Sequence, residues 1–517
     1  GSGRYIIHEL LRQYLVEKLC DHCGNYDPVR DLHCAYFAEF MQRQEGRLKG
    51  SEQKSALAEI DAELDNLRHA WSWAVEQEKR DMLGKLVEGL FLYYQMRSLV
   101  REGLELFRKA IHRLEGVKDS LLADFYIYTA WFEAIAGWRA PWHPIQGKYE
   151  TAANLYQIGV SLLRSDSGDT TILPLSGINF LDRLWDEEWV PLKFTAVQRL
   201  FQERLSQYRA GQNRWGEAWA FLCLGNLSLI RGQKDDASRF ISSSLDIFRS
   251  LGDRWGSTWP MYLLGTLAHD ENRYTLAHQL LEETLHICQD IGDQGGAAYL
   301  LGHLGIVTAA EKAYEESQVY LIAAVEKSYQ TRWEFETAWH LMDLADVLVE
   351  AGNLEQAVEL YSFLNVFPPF THGRENVERK LKELAHRIPE GSFEMLRVRG
   401  EAHSMESIIL AVKNEFVLDG GQAPEPLRQV PSGSLVKLSP IDPLTERELA
   451  VLELVAEGFS NREIAERLVV TVGTAKKHIN NIFRKLQVQS RTQAAARLHS
   501  LNINPHIHPS MDDKSTL

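Results

Sequence analysis

The residues best placed to do chemistry lie near the C-terminal end. From Arg467 to Met511 the chain has no Asp or Glu and seven basic residues: Arg467, Lys476, Lys477, Arg484, Lys485, Arg491 and Arg497. That span is +7 in a chain whose formal charge is −15, so everything outside it sums to −22. An acidic body with one basic end points to nucleic-acid contact confined to that end. Within the span, Ala475, Ile479, Ile482 and Leu486 fall at i, i+4, i+7 and i+11, the apolar stripe of a core-facing helix. Gly473, Lys476, Lys477, Asn480 and Arg484 fall on the other side. Lys can donate to guanine O6 and N7, and Asn can pair with adenine N6 and N7, so this face suits a DNA major groove. Thr474, His478 and Lys485 lie on the flanks, where phosphates would run. Asn461 and Arg462 open the preceding helix, whose first N–H groups can also meet a phosphate. The opposing interpretation is a small basic cap on a larger helical body.

Three capping boxes frame that helix. Thr445-Glu446-Arg447-Glu448, Ser460-Asn461-Arg462-Glu463 and Ser490-Arg491-Thr492-Gln493 each place a hydroxyl three residues before a Glu or Gln. Gly458 ends the first helix and Thr471 is a plausible N-cap for the third. Four short helices with a tight turn between the second and third make a helix-turn-helix.

The rest of the chain must carry this module. At 517 residues, with 45% hydrophobic and 25% charged residues, several globular domains are expected and wholesale disorder is excluded. No apolar run reaches the ~18 residues of a membrane span. Five cysteines make no disulfide framework and fit a reducing, cytoplasmic setting. The opening Gly1-Ser2-Gly3 looks like a linker scar or an internal cut. Between about Asn213 and Leu364 the sequence repeats every 40 residues. Gly225, Gly265 and Gly305 recur, with Leu224, Leu264, Leu304 and Leu344, and Ala237 and Ala277 recur as Ser317 and Ala357. Each unit is expected to be a pair of amphipathic helices that meet at the small residues. One hairpin cannot bury its apolar face alone, so stacked copies share a core. The fold class is therefore all-α, an α-solenoid followed by a small four-helix domain. The large–small pattern resembles tetratricopeptide repeats, although those are usually 34 residues long.

The segments expected are 1–45, helical; 46–212, irregular helical repeats; 213–372, regular repeats; 373–417, terminal helices; 418–443, a Pro/Gly-rich flexible linker; 444–505, the helix-turn-helix domain; and 506–517, a disordered tail. Ser165 to Val190 is expected to be a loop insertion.

At the C-terminal motifs the chain resembles the LuxR-type DNA-binding domain. The likeness rests on Pro443-Leu444-Thr445-Glu446-Arg447-Glu448, on Gly458-Phe459-Ser460-Asn461-Arg462-Glu463-Ile464-Ala465, and on Thr474 to Ile482 with Lys485-Leu486. Ala475 departs from the Val more common there. The resemblance implies promoter DNA as partner, with Lys476, Lys477 and Asn480 facing bases. Asn461, Arg462, Thr474, His478, Arg484 and Lys485 would then face the backbone, with self-association on DNA. Tyr5 to Tyr14 and Asp65 to Ala74 are similar to the winged-helix end and following helices of STAND-class, MalT-like bacterial regulators. That likeness implies an upstream NTPase module using ATP, and makes residues 1–45 a winged-helix remnant.

Other chemistry is weaker. There is no Gly-x-x-x-x-Gly-Lys-Ser/Thr loop, because Gly147-Lys148 lacks both the earlier Gly and the following hydroxyl residue. Gly-x-Ser-x-Gly and His-Glu-x-x-His are also missing. The chain is expected to be non-enzymatic, with no cofactor of its own. Cys20-Asp21-His22-Cys23 with His33 and Cys34 has partial zinc spacing; the bland alternative is a helix end with free thiols. The tryptophans at 215, 219, 255, 259, 333 and 339 fit inter-repeat packing, or, where exposed on a concave face, an effector or partner peptide. The function expected is transcription regulation through a sensing solenoid, with RNA polymerase among the partners and no membrane contact. The alternative is a protein-interaction scaffold.

Overall fold

The structure is a computed structural model that describes residues 27–114, 119–136, 154, 155, 158, 159, 190–368, 370 and 373–418, together with eleven positions between 451 and 482. It divides into two compact units, residues 1–426 and 427–517. The described elements are helices, with no strand among the described residues. None of these helices is long and apolar enough to cross a membrane.

In the first unit, five helices come first: α1 (Asp27–Leu48), α2 (Gln53–Glu76), α3 (Arg80–Met96), α4 (Val100–Leu114) and α5 (Ser120–Ala136). Next is α6 (Val190–Ala210), and then the regular repeats. Their first helices are α7 (Arg214–Ile230), α9 (Arg254–Asp270), α11 (Gln294–Ala310) and α13 (Glu334–Ala351). Their second helices are α8 (Lys234–Leu251), α10 (Tyr274–Ile291), α12 (Tyr314–Gln330) and α14 (Leu354–Val366). First helices start at 214, 254, 294 and 334, and second helices at 234, 274, 314 and 354, so the 40-residue period holds residue for residue. Finally α15 (Arg374–Ala385), α16 (Glu390–Glu401) and α17 (Met405–Leu418) close the solenoid.

The rhythm comes from the turns. Left-handed backbone occurs at Gln212, Gly232, Gly252, Asn272, Gly292, Lys312, Arg332 and Gly352, one every 20 residues. At each turn the next N–H bonds back to the carbonyl five residues earlier, as Asp253 N does to Phe248 O (3.0 Å) and Asp293 N to Cys288 O (2.8 Å). This is the 6→1 bond of a Schellman stop, which satisfies a carbonyl the helix end leaves orphaned. The next helix is then restarted by a side chain. Asn213, Asp253 and Asp293 accept from Gly216, Gly256 and Gly296 N, each at 2.8 Å. A Cβ on Gly256 would lie 2.4 Å from Asp253 Oδ2, so the cap needs glycine there.

Within each hairpin the small residues make the contact expected. A Cβ at Gly225 would lie 2.5 Å from Ile241 Cγ1, and one at Gly305 would lie 2.6 Å from Leu321 Cγ. Ala237, Ala277, Ser317 and Ala357 face them from the second helices and are fully buried. In the fourth repeat Ala345 takes the glycine position and is also fully buried.

One part of the packing has no local sequence signature. Helices α2 to α4 bond to repeat turns some 200 residues later. Gln53 Nε2 donates to Asp253 Oδ1 (2.9 Å), and Gln53 Oε1 accepts from Trp255 N (2.9 Å). Ser98 Oγ donates to Asp293 Oδ1 (2.6 Å) and accepts from Gly295 N (2.9 Å). Arg97 donates to the Ile291 carbonyl. The Trp131 and Trp259 rings meet at 5.8 Å, and one apolar core runs from Cys34 through Phe132 into the repeats as far as Ile291. A second core joins the last repeats to α15–α17.

Candidate nucleic-acid interface

The second unit has its own apolar centre. Val451, Leu452, Val455, Ile464, Ile479 and Ile482 are buried together, with Leu454, Phe459 and Leu468 packed at their edge. Ile479 is 5% exposed and Ile482 1%. The expected stripe of the basic helix therefore does face inward at these two positions, against Leu452 of the first helix. Two residues three apart lie on the same face of a helix, so their joint burial sets its register. Phe459 N donates to Leu454 O (3.1 Å), and Leu468 N to Ile464 O (3.0 Å).

The charged residues divide. Arg467, the first base of the acid-free span, lays its guanidinium over the Phe459 ring at 3.8 Å. It braces the module by cation–π packing, a role that charge counting missed. Phe459 and Arg467 are eight residues apart and Phe459 is not helical, so no helical period links them. Lys476, Lys477, Asn480, Asn461, Arg462, Thr474, His478, Arg484 and Lys485 lie outside the described residues, as do Thr445, Ser460, Thr471 and Ser490 of the caps.

Comparison with known proteins bears on the same segment. Residues 442–498 match the family described as bacterial regulatory proteins, luxR family, also called GerE. The chain carries a LuxR-type DNA-binding domain at its C-terminus. The chain is 40% identical over 105 residues to the transcriptional regulatory protein LiaR of Bacillus subtilis, covering 20% of this chain and 49% of LiaR. Against the response regulator protein VraR of Staphylococcus epidermidis, identity is 38% over 91 residues, 18% of this chain and 44% of VraR. With VraR of Staphylococcus aureus it is 55% over 51 residues, 10% of this chain and 24% of the relative. The chain thus spans about half or less of the curated relatives it matches, and the likeness takes in the DNA-binding segment.

The other sequence candidates sort as follows. Cys34 is fully buried and its thiol donates to the Ala70 carbonyl at 3.4 Å; burial pushes its pKa up to about 11. His33 Nε2 lies 3.5 Å from Asn66 Oδ1. Both therefore have structural partners, while Cys20, Asp21, His22 and Cys23 lie outside the described residues. Among the tryptophans, Trp131, Trp215, Trp219, Trp255 and Trp339 are buried packing residues. Trp259 and Trp333 are only partly buried and border a cavity. Trp138 and Trp142 lie outside the described residues.

Proposed function

We propose that the chain is a DNA-binding transcription regulator of the STAND, MalT-like kind. Its tetratricopeptide-like solenoid senses an effector, and its C-terminal helix-turn-helix binds promoter DNA, with RNA polymerase as a downstream partner. The observation that carries this reading is the LuxR-type domain at residues 442–498. The burial of Ile479 and Ile482 in the module's apolar centre supports it, because the apolar stripe expected of a recognition helix is buried at those two positions. The chain acts by binding, without a catalytic step or cofactor of its own; the lack of any phosphate-loop motif supports this. The chemistry is that of a cytoplasmic protein.

A scaffold remains the second reading. It is favoured by exposed Met395, Val398 and Leu410 on α16 and α17, apolar side chains at the end of the solenoid. Selection of duplexes from a random DNA pool by the full chain separates the two. Enrichment of a defined half-site is expected. Retention of no sequence above background, at low salt as well as at physiological salt, would overturn the regulator.

A further inference from the structure

Helix α1 is apolar on two sides. Cys34, Phe37, Ala38 and Met41 are buried in the core it shares with α2 and α3. Val29, Leu32 and Tyr36, at i, i+3 and i+7, are 52%, 74% and 60% exposed. That spacing gathers the three into one narrow stripe over the first turns of the helix. The polar groups of the same turns are directed into the body. Asp31 Oδ1 accepts from Trp73 Nε1 and pairs with Lys79, each at 2.8 Å, and His33 Nε2 lies 3.5 Å from Asn66 Oδ1. A helix that is apolar on opposite faces is the pattern of a covered helix, and a row of large exposed apolar side chains marks a contact surface.

The chain that leads into α1 has the surface to cover this stripe. Residues 1–26 lie outside the described residues and end where α1 begins. In their sequence Ile6, Leu10 and Tyr14 recur every four residues, and so do Ile7, Leu11 and Leu15. Those are two adjoining apolar rows of a helix. Over residues 5–19 such a helix is ~22 Å long, and the stripe from Val29 to Tyr36 needs only ~11 Å of it. Cys20 to Tyr26 leaves seven residues for the turn, within the usual range for two helices that return antiparallel. A second copy, or another protein, has to find the stripe by diffusion. This segment is tethered beside it at an effective concentration of the order of millimolar.

We infer that residues 5–19 form a helix that docks antiparallel on the Val29, Leu32 and Tyr36 stripe and closes the open side of α1. This docking does not depend on the DNA-binding reading. It gives α1 two attachments. One end holds the N-terminal segment. Just past the other end, Lys49 lies 4.7 Å over the Trp215 ring and Gln53 bonds to Asp253 in the repeats. A force on the N-terminal segment therefore reaches the first repeats through one continuous helix.

The test is the rate of thiol labelling in the full chain carrying Leu32→Cys, read by tandem mass spectrometry so that Cys20, Cys23 and Cys34 are scored apart. Asp235→Cys, at an exposed position of α8, gives the rate of an open thiol. Labelling at position 32 should be at least about tenfold slower than at position 235, because the segment must first open. Leu10→Ser together with Leu11→Ser should restore the open rate. Buried Cys34 should stay unlabelled throughout, which shows that the body is still folded. If Cys34 reacts in the doubly substituted segment, Leu10→Ser alone decides. Equal rates at positions 32 and 235 overturn the inference. So does slow labelling at position 32 that survives the serine substitutions; if dilution then speeds it, the occupant is a second copy.

Discussion

Asp124 shows how a single side chain can set the pH response of the body. It is half-buried on α5, and burial, with Glu88 and then Asp119 nearby, pushes its pKa up to about 8. Burial also raises Glu88, which shares Lys49 with Glu45. A carboxyl raised in the folded state holds a proton that the unfolded chain has released. Stability therefore falls as pH climbs from about 4 to about 8. Asp124→Asn should flatten this slope and raise the melting temperature most near pH 8, with no gain near pH 4. A parallel pair of pH–melting curves for the two proteins would refute it. On DNA, Lys476→Ala should cost about 1–3 kcal/mol on a selected site and relax preference at one base pair. Lys485→Ala should instead weaken all sequences alike and flatten the salt dependence. Unchanged affinity in both, titrated at fixed salt, would reject the base-facing assignment. Ile482→Ala should cost about 2–5 kcal/mol, close to the whole stability of so small a domain. Hydrogen exchange over residues 451–482 should then speed up while residues 213–366 keep their protection. Equal protection would mean that Ile482 is not a core residue.

At the scale of the element, the hairpin was legible because its determinants are short-range. Gly225, Gly265 and Gly305, with Ala237 and its successors, mark where two backbones approach, and the helix starts repeat at the same spacing. The stops were only half legible. Gly252 and Gly292 announce themselves, but Gln212, Asn272, Lys312 and Arg332 adopt the same left-handed turn with no glycine to signal it. Their conformation is imposed by the helices on either side, at a cost of about 1 kcal/mol each. The same rhythm reaches Glu78 and Ser98, within the stretch whose repeats the sequence shows only as irregular. The notches make a graded prediction. Gly225→Ala gains about 1 kcal/mol of helix propensity but drives a methyl to 2.5 Å from Ile241 Cγ1, so a net loss of about 1 kcal/mol is expected. Gly265→Ala meets Leu281 side-chain atoms at 3.1 Å, which can give way, and should be neutral or stabilising. Calorimetry that ranks the two the other way would contradict this packing.

For the whole molecule, one LuxR-type module supplies one recognition helix, which makes few base contacts. Two half-sites on one duplex should therefore bind the chain cooperatively, at least about tenfold tighter than one half-site. Gel shifts over a concentration series would show it; equal affinity for single and paired half-sites would exclude it. The polar clasp of Gln53 and Ser98 was illegible for a simple reason. Its partners, Asp253 and Asp293, are about two hundred residues away, and a polar pair at that distance leaves no periodicity behind. The clasp also has a consequence for biosynthesis. A simple stack of hairpins can fold unit by unit as it leaves the ribosome. Here Gln53 emerges with its acceptor still untranslated. At about 5–20 residues per second, roughly 10–40 s pass before Asp253 follows. Through that interval the Trp71, Phe91, Phe107 and Trp131 cluster has formed only its own side of the shared core. The nascent chain should therefore depend on chaperones early, and lose that dependence when the third repeat is made.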